Sequence, residues 1–265
     1  MFLRSILLLV VTGVTLPAQW LVYPTPGIPR TQEGKANLAA PVPKAVDGKP
    51  DLSGLWQRVR GATQRTSAAG GLAMGPNLAD FMRPGETIPP LLPAAQKLHE
   101  ERMANFMADR PSGRCLPHGI PDQMLIRVPL KIVQNPGLTL ILYEEFARFR
   151  QIFTDGRPAA PVANPAWLGY SIGRWEGDWF VVDTRGYNDK SWLDDSGRPH
   201  TEALRTIERF RRRDFGHMDV EVTIDDPGAY TKPWSFPLEF EFMADTEMIE
   251  DVCDNEKDFS HAVGK

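Results

Sequence analysis

A chain of 265 residues, 42% hydrophobic and 24% charged, carries enough apolar material for one large domain or two small ones. Its formal net charge of −4 argues against a general nucleic-acid binder, because neutralising phosphates takes a basic excess. The sequence has no glycine-rich phosphate loop, dinucleotide fingerprint or Cys-x-x-Cys pair, and no Gly-x-Ser-x-Gly nucleophile elbow is expected, which sets aside nucleotide-driven chemistry, α/β-hydrolase action and thiol exchange.

The opening reads as an export signal. Residues 1–4 supply a positive start, and residues 6–14 form an apolar run broken only by Thr12 and Gly13. Thr15-Leu16-Pro17-Ala18 then offers a cleavage region, giving a signal peptide over 1–18. The run is short for a permanent membrane anchor, and no cysteine follows it for lipid attachment. The expected location is periplasmic or secreted, without stable membrane insertion. In that oxidising setting Cys115 and Cys253 are expected to form a disulfide; two buried free thiols are the alternative.

Residues 19–50 are proline-rich and aperiodic, and are expected to wrap the domain as an extended strap. They contain an internal echo. The stretch from Pro29 to Leu38 resembles that from Pro43 to Leu52, each placing an acidic-Gly-Lys turn before an Asx-Leu step. A single β-rich domain is expected over 51–265. Its first strand opens at Asp51-Leu52-Ser53-Gly54-Leu55-Trp56, and a long loop follows over 61–90. One helix is expected over 93–109, with proline at its start and Ala95, Leu98, Arg102 and Phe106 at helical spacing.

Beyond Pro121 the pattern changes to strands and tight turns. Strands at 131–134 and 138–143 flank Asn135-Pro136-Gly137, and another at 149–154 meets Asp155-Gly156. Strands at 170–175 and 179–183 flank Glu176-Gly177-Asp178. The run 204–211 passes through Asp214-Phe215-Gly216 into 217–225, where Met218, Val220, Val222 and Ile224 share one face. Phe236, Leu238, Phe240 and Phe242 repeat the alternation, and 248–253 is expected to close the series. The fold class is mainly β: an antiparallel meander or lipocalin-like β-barrel with one accessory helix.

Four segments carry a family resemblance: Pro50-Asp51-Leu52-Ser53-Gly54-Leu55-Trp56, Gly173-Arg174-Trp175-Glu176-Gly177-Asp178, Pro199-His200-Thr201-Glu202-Ala203-Leu204, and the stretch from Thr223 to Trp234. Together they resemble a family of exported bacterial β-rich proteins. The resemblance implies export and a β-rich fold and brings no reaction with it. Gly54-Leu55-Trp56 is also similar to the first-strand Gly-x-Trp step of the lipocalins, which implies a tryptophan closing one barrel end.

Candidate chemistry concentrates between Asp183 and Glu208. In an extended segment His200 and Glu202 fall on one face, as a general base and its orienting partner would, with Glu208 as a second acid. Tyr187, Asn188, Trp192, Tyr230 and Trp234, with Arg205, are the expected walls of a binding site. His-x-Glu lacks a third ligand at readable spacing, so neither a metal ion nor another cofactor is expected there. Arg209, Arg211, Arg212 and Arg213 are expected to pair across strands with Glu221, Glu239 and Glu241. His118, beside Cys115, is the next candidate base. The reading is an exported protein that handles a small, partly apolar molecule in an aromatic-lined barrel pocket, as a cofactor-free lyase, isomerase or hydrolase. A non-catalytic ligand binder and an envelope protein-interaction module are the alternatives; the sequence does not specify an oligomeric state.

Overall fold

The computed structural model describes residues 23–59, 76–159, 164–251 and 253. The signal segment 1–18 and the first half of the loop expected at 61–90 lie outside the described residues. Nine strands close into one barrel in chain order. They are β1 (Gly54–Arg58), β2 (Leu130–Asn135), β3 (Leu138–Tyr143), β4 (Arg148–Phe153), β5 (Tyr170–Glu176), β6 (Trp179–Arg185), β7 (Arg205–Arg212), β8 (His217–Asp225) and β9 (Trp234–Phe242).

Neighbours are antiparallel, including the closing pair β1 and β9, except β4 and β5, which run parallel. An odd number of strands cannot alternate direction all the way around a closed ring, so one parallel neighbour is required. The meander is therefore broken after β4. Asp155-Gly156 follows that strand, and β5 starts again from the opposite end of the barrel, where Ala166 bridges Tyr187 in parallel.

This topology sorts the connections. The short hairpins β2–β3, β5–β6 and β7–β8 lie at one end with the strap. The described residues 76–129, 186–204 and 226–233, with the β3–β4 turn, gather at the other, which we call the loop end.

The strap confirms the internal echo in backbone detail. Arg30 bridges Ala36 as Lys44 bridges Pro50. Thr31 N–H donates to Lys35 O at 2.8 Å and Ala45 N–H to Lys49 O at 2.9 Å; Asn37 N–H reaches Pro29 O at 2.8 Å and Asp51 N–H reaches Pro43 O at 2.9 Å. Gly34 and Gly48 sit at φ of 79° and 78°, a left-handed conformation that costs glycine nothing. At the end of the strap Trp56 is fully buried, with its Nε1–H on Leu52 O, Phe242 edge-on to its ring and the Arg212 guanidinium over its face.

Two expectations are corrected. The helix α1 (Pro93–Ala104) stops short of 109 because Phe106 and Met107 turn to positive φ. Phe106 and Leu98 are exposed rather than part of a buried stripe; Ala95 is buried, and Arg102 in the last turn stacks on Trp192 and donates to Gly197 O at 3.1 Å. A one-turn helix, α2 (Asp122–Leu125), precedes β2. The tail 248–253 is not a strand. It runs beside β2 and the β3–β4 turn, with Glu247 on Lys131 at 2.6 Å and Ile249 N–H on Glu144 at 3.0 Å, to the Cys115–Cys253 disulfide.

Inward-facing residues fill the barrel in two layers. Toward the strap end Leu52, Ile132, Thr139, Ile141, Phe180 and Phe210 leave no room for a water molecule. Toward the loop end Arg150 of β4 crosses to Glu208 of β7, with Nη1–Oε1 at 2.9 Å and Nη2–Oε2 at 2.5 Å. Two further guanidinium protons go to Ser171 at 2.9 Å and Thr184 at 2.6 Å. Tyr187 donates to or accepts from Thr206 at 2.7 Å in the same layer. Outside, Arg211 and Arg213 pair with Asp219, and Arg209 with Glu176, rather than with the glutamates anticipated; Arg213 also approaches Glu239 at 3.9 Å, and Arg212 points inward.

Two outcomes follow. Reduction of the bridge, or Cys115→Ser with Cys253→Ser, frees a loop spanning a sequence separation of 138, worth up to about 4–5 kcal/mol in the chain-entropy model. The urea midpoint is expected to fall on reduction; an unchanged midpoint would show that the tail docks without it. Arg150→Met strands a buried carboxylate and should cost about 3–5 kcal/mol, whereas Arg150→Met with Glu208→Leu should recover much of that loss. Equilibrium denaturation of the three proteins checks the ordering.

Candidate functional site

The loop end carries the groups with chemical potential, and two carboxylates shape its loops. Asp194 Oδ1 accepts from Ser196 N–H at 3.0 Å and Ser196 Oγ at 2.7 Å, and its Oδ2 accepts from Leu78 N–H at 2.8 Å. Asp226 holds Thr201 through its N–H at 2.6 Å and its hydroxyl at 2.7 Å, and also accepts from Gly228 N–H at 3.0 Å. Between these anchors the chain brings Ser191 against His200.

Ser191 Oγ lies 2.7 Å from His200 Nε2, and His200 Nδ1 lies 3.1 Å from the carbonyl of Thr201. A carbonyl only accepts, so Nδ1 carries the proton and Nε2 presents its lone pair to the serine hydroxyl. Burial holds the His200 pKa below its ordinary value, which keeps the ring neutral near pH 7. Tyr187 stands edge-on at 6.2 Å between ring centroids. Gly119 packs directly onto Ser191: a Cβ at that position would lie 2.2 Å from Oγ. Ser191 and His200 are 2% and 4% exposed.

The neighbouring turn builds a second group. His118 Nδ1 is 2.5 Å from Asp122 Oδ2, and its Nε2 is 3.2 Å from Glu145 Oε2. Asp195 joins from the 186–204 segment and reaches Arg110 at 3.0 Å. Burial disfavours the charge on His118, but Asp122 and then Glu145 outweigh it and hold its pKa well above the ordinary histidine value. Burial pushes the carboxyls of Asp122 and Asp195 upward, against the pull of His118 on both and of Arg110 on Asp195. His118 is buried and contacted by carboxylates at both nitrogens, unlike the free base at a pocket mouth that its sequence position suggested.

The structure brings together only part of the anticipated site. His200 and Tyr187 meet, but Glu202 is exposed and makes no partner for His200. Glu208 serves Arg150 inside the barrel. Arg205 pairs with Asp183 at 2.5 Å on the outer surface. Asn188 caps its own turn on Lys190 N–H, and Trp192 lies under Arg102. Tyr230 donates to Pro199 O at 3.2 Å and packs on Trp234, whose indole N–H is buried without a hydrogen-bond partner. Tyr230 and Trp234 are thus packing residues around the 199–201 turn.

Ser191, Asp122 and Glu145 belong to this cluster and were not singled out from the sequence, whereas Asp195 lies in the polar stretch between Asp183 and Glu208. The i,i+4 step from His118 to Asp122 is a readable signal; the approach of Ser191 to His200 depends on the loop geometry. Gly169-Tyr170-Ser171-Ile172-Gly173 spells Gly-x-Ser-x-Gly, yet Ser171 is not on a strand-to-helix elbow: it lies within β5 and bonds Arg150 and Thr184. Among the described residues no helix is long and apolar enough to cross a membrane. Comparison with protein-family models, curated proteins and solved structures gave no match.

Proposed function

We propose that this is an exported enzyme, periplasmic or secreted, that acts on a small, partly apolar molecule by acid–base chemistry of the hydrolase type. Ser191 is the nucleophile and His200 its base. The carrying observation is the Ser191 Oγ–His200 Nε2 contact at 2.7 Å, with Nδ1 oriented by the Thr201 carbonyl. A nucleophile, a base within hydrogen-bond reach and a third group fixing the base's tautomer form the arrangement that activates a hydroxyl.

In the proposed reaction the serine proton passes to Nε2 while Oγ bonds to the substrate's acyl carbon. The leaving group departs with the proton returned by Nε2. Water, deprotonated by the same nitrogen, then releases the acid and regenerates the serine. Here the carbonyl of Thr201 takes the orienting place that a carboxylate holds in other triads. It fixes the ring without adding charge, consistent with a base that burial keeps neutral.

The filled barrel directs this reading to the loop end, because the apolar layer has no room for water and the polar layer is spanned by Arg150 and Glu208. Export is supported by the signal-like opening and by the disulfide, which persists in an oxidising compartment.

A fluorophosphonate probe tests the nucleophile. We expect wild-type protein to be labelled at Ser191, and Ser191→Ala to be unlabelled. His200→Ala should react about 10²–10⁴-fold more slowly with its thermal midpoint nearly unchanged. The labelling rate should fall in acid with a midpoint below the ordinary histidine value, since the neutral ring is the active form. Asp226, Asp189, Arg102 and Tyr187 are the titratable groups facing it. Labelling elsewhere, or a rate indifferent to His200, would sink the proposal.

A further inference from the structure

His118, Asp122 and Asp195 each place a nitrogen or oxygen donor within 4.8 Å of the others, and all three are buried. Asp122 is 3% exposed; its Oδ2 meets His118, but its Oδ1 accepts no hydrogen bond. An ionised oxygen shut away from water without a partner is costly, and native structures leave few such groups unexplained.

The charges do not balance either. Asp122, Asp194, Asp195 and Glu145 face the guanidiniums of Arg110 and Arg198. Even with His118 protonated the carboxylates outnumber the cations by one, an excess of buried negative charge that a bound cation offsets. The elements are separate in sequence, since α2, the β3–β4 turn and the 186–204 segment each contribute. The Cys115–Cys253 bridge ties the tail to the chain just ahead of His118.

We propose that His118, Asp122 and Asp195 bind one divalent transition-metal ion, with Glu145 orienting the imidazole from its other nitrogen. One imidazole nitrogen and two carboxylate oxygens suit Zn²⁺ or Mn²⁺ and leave further positions open. Glu145 at 3.2 Å from Nε2 fits the outer-shell role, in which a carboxylate fixes the tautomer of a ligating histidine. Gln123 donates to the same Glu145 oxygen at 3.2 Å and holds it in place. An ion enters from the side of Arg110, whose side chain is partly exposed where it meets Asp195.

The site stands independently of Ser191 and His200: probe labelling reads one and metal uptake reads the other. Full-chain protein recovered from the exported fraction is stripped with chelator and dialysed against Zn²⁺, Mn²⁺ or Mg²⁺, with metal content and thermal midpoint measured. We expect one equivalent of Zn²⁺ or Mn²⁺, little Mg²⁺, and a midpoint that rises with the logarithm of free metal. Asp122→Asn and Asp195→Asn should lose stoichiometric uptake, Glu145→Gln should bind about 10–100-fold more weakly, and Glu33→Gln on the strap should match wild type. If stripped wild type takes up neither Zn²⁺ nor Mn²⁺, or if the asparagine variants bind as it does, the site is refuted. Should Asp122→Asn fail to fold, unchanged affinity in both Asp195→Asn and Glu145→Gln refutes it equally.

Discussion

The ion pair between Arg150 and Glu208 is the interaction on which the architecture turns. It joins β4 to β7 across the lumen, and Ser171 and Thr184 accept two more guanidinium protons from β5 and β6. A charge pair this deep is tolerable because most of its hydrogen-bond capacity is met; half-satisfied, it would be worse than apolar packing. It also gives β4 and β5, the parallel neighbours, a side-chain link beyond their short ladder. A barrel braced in this way has no open lumen at that level.

At the loop end two buried histidines have been given opposite electrostatics. His200 bonds a hydroxyl and a carbonyl, both neutral, and burial outweighs the opposing pull of the Thr201 carbonyl and Asp226 to hold its pKa down. His118 faces carboxylates at both nitrogens, and their charge overrides its burial. The two groups adjoin through Gly119, whose missing side chain lets Ser191 sit against the 117–121 turn. One loop cluster therefore holds a neutral base and a negatively charged nest in contact without mixing their chemistry.

Period-two alternation made most of the barrel legible in the sequence: β8 and β9 have the alternation read from their residues, and the turns at 136–137, 177–178 and 214–216 fall where glycine and proline place them. The disulfide partners were legible because the chain has two cysteines. The parallel step between β4 and β5 was not, since closure parity belongs to the whole ring. His200 was readable as a polar residue in a polar stretch. Its partner was not: Glu202 neighbours it along an extended chain, but Ser191 reaches it through a turn shaped by Asp194 and Asp226. Glu208 looked like a free acid because Arg150 lies far away in sequence, and only the curvature of the barrel brings them together.

Closure through β1 and β9 has a consequence for biogenesis. Ribosomes deliver β1 first and β9 last among the strands, so the first edge stays open while the rest of the chain is made and paired. An unpaired edge rich in hydrogen-bonding groups is a template for the wrong neighbour, and long-range pairings of this kind form slowly. The twin turns of the strap are local, each bonded within itself, and need no later strand to form. They immediately precede β1 and dock where β7 and β8 turn, with Phe215 N–H on Ala40 O and Gly216 N–H on Leu38 O. The segment that leads into β1 is thereby the one that also contacts the β7–β8 turn, far away in sequence.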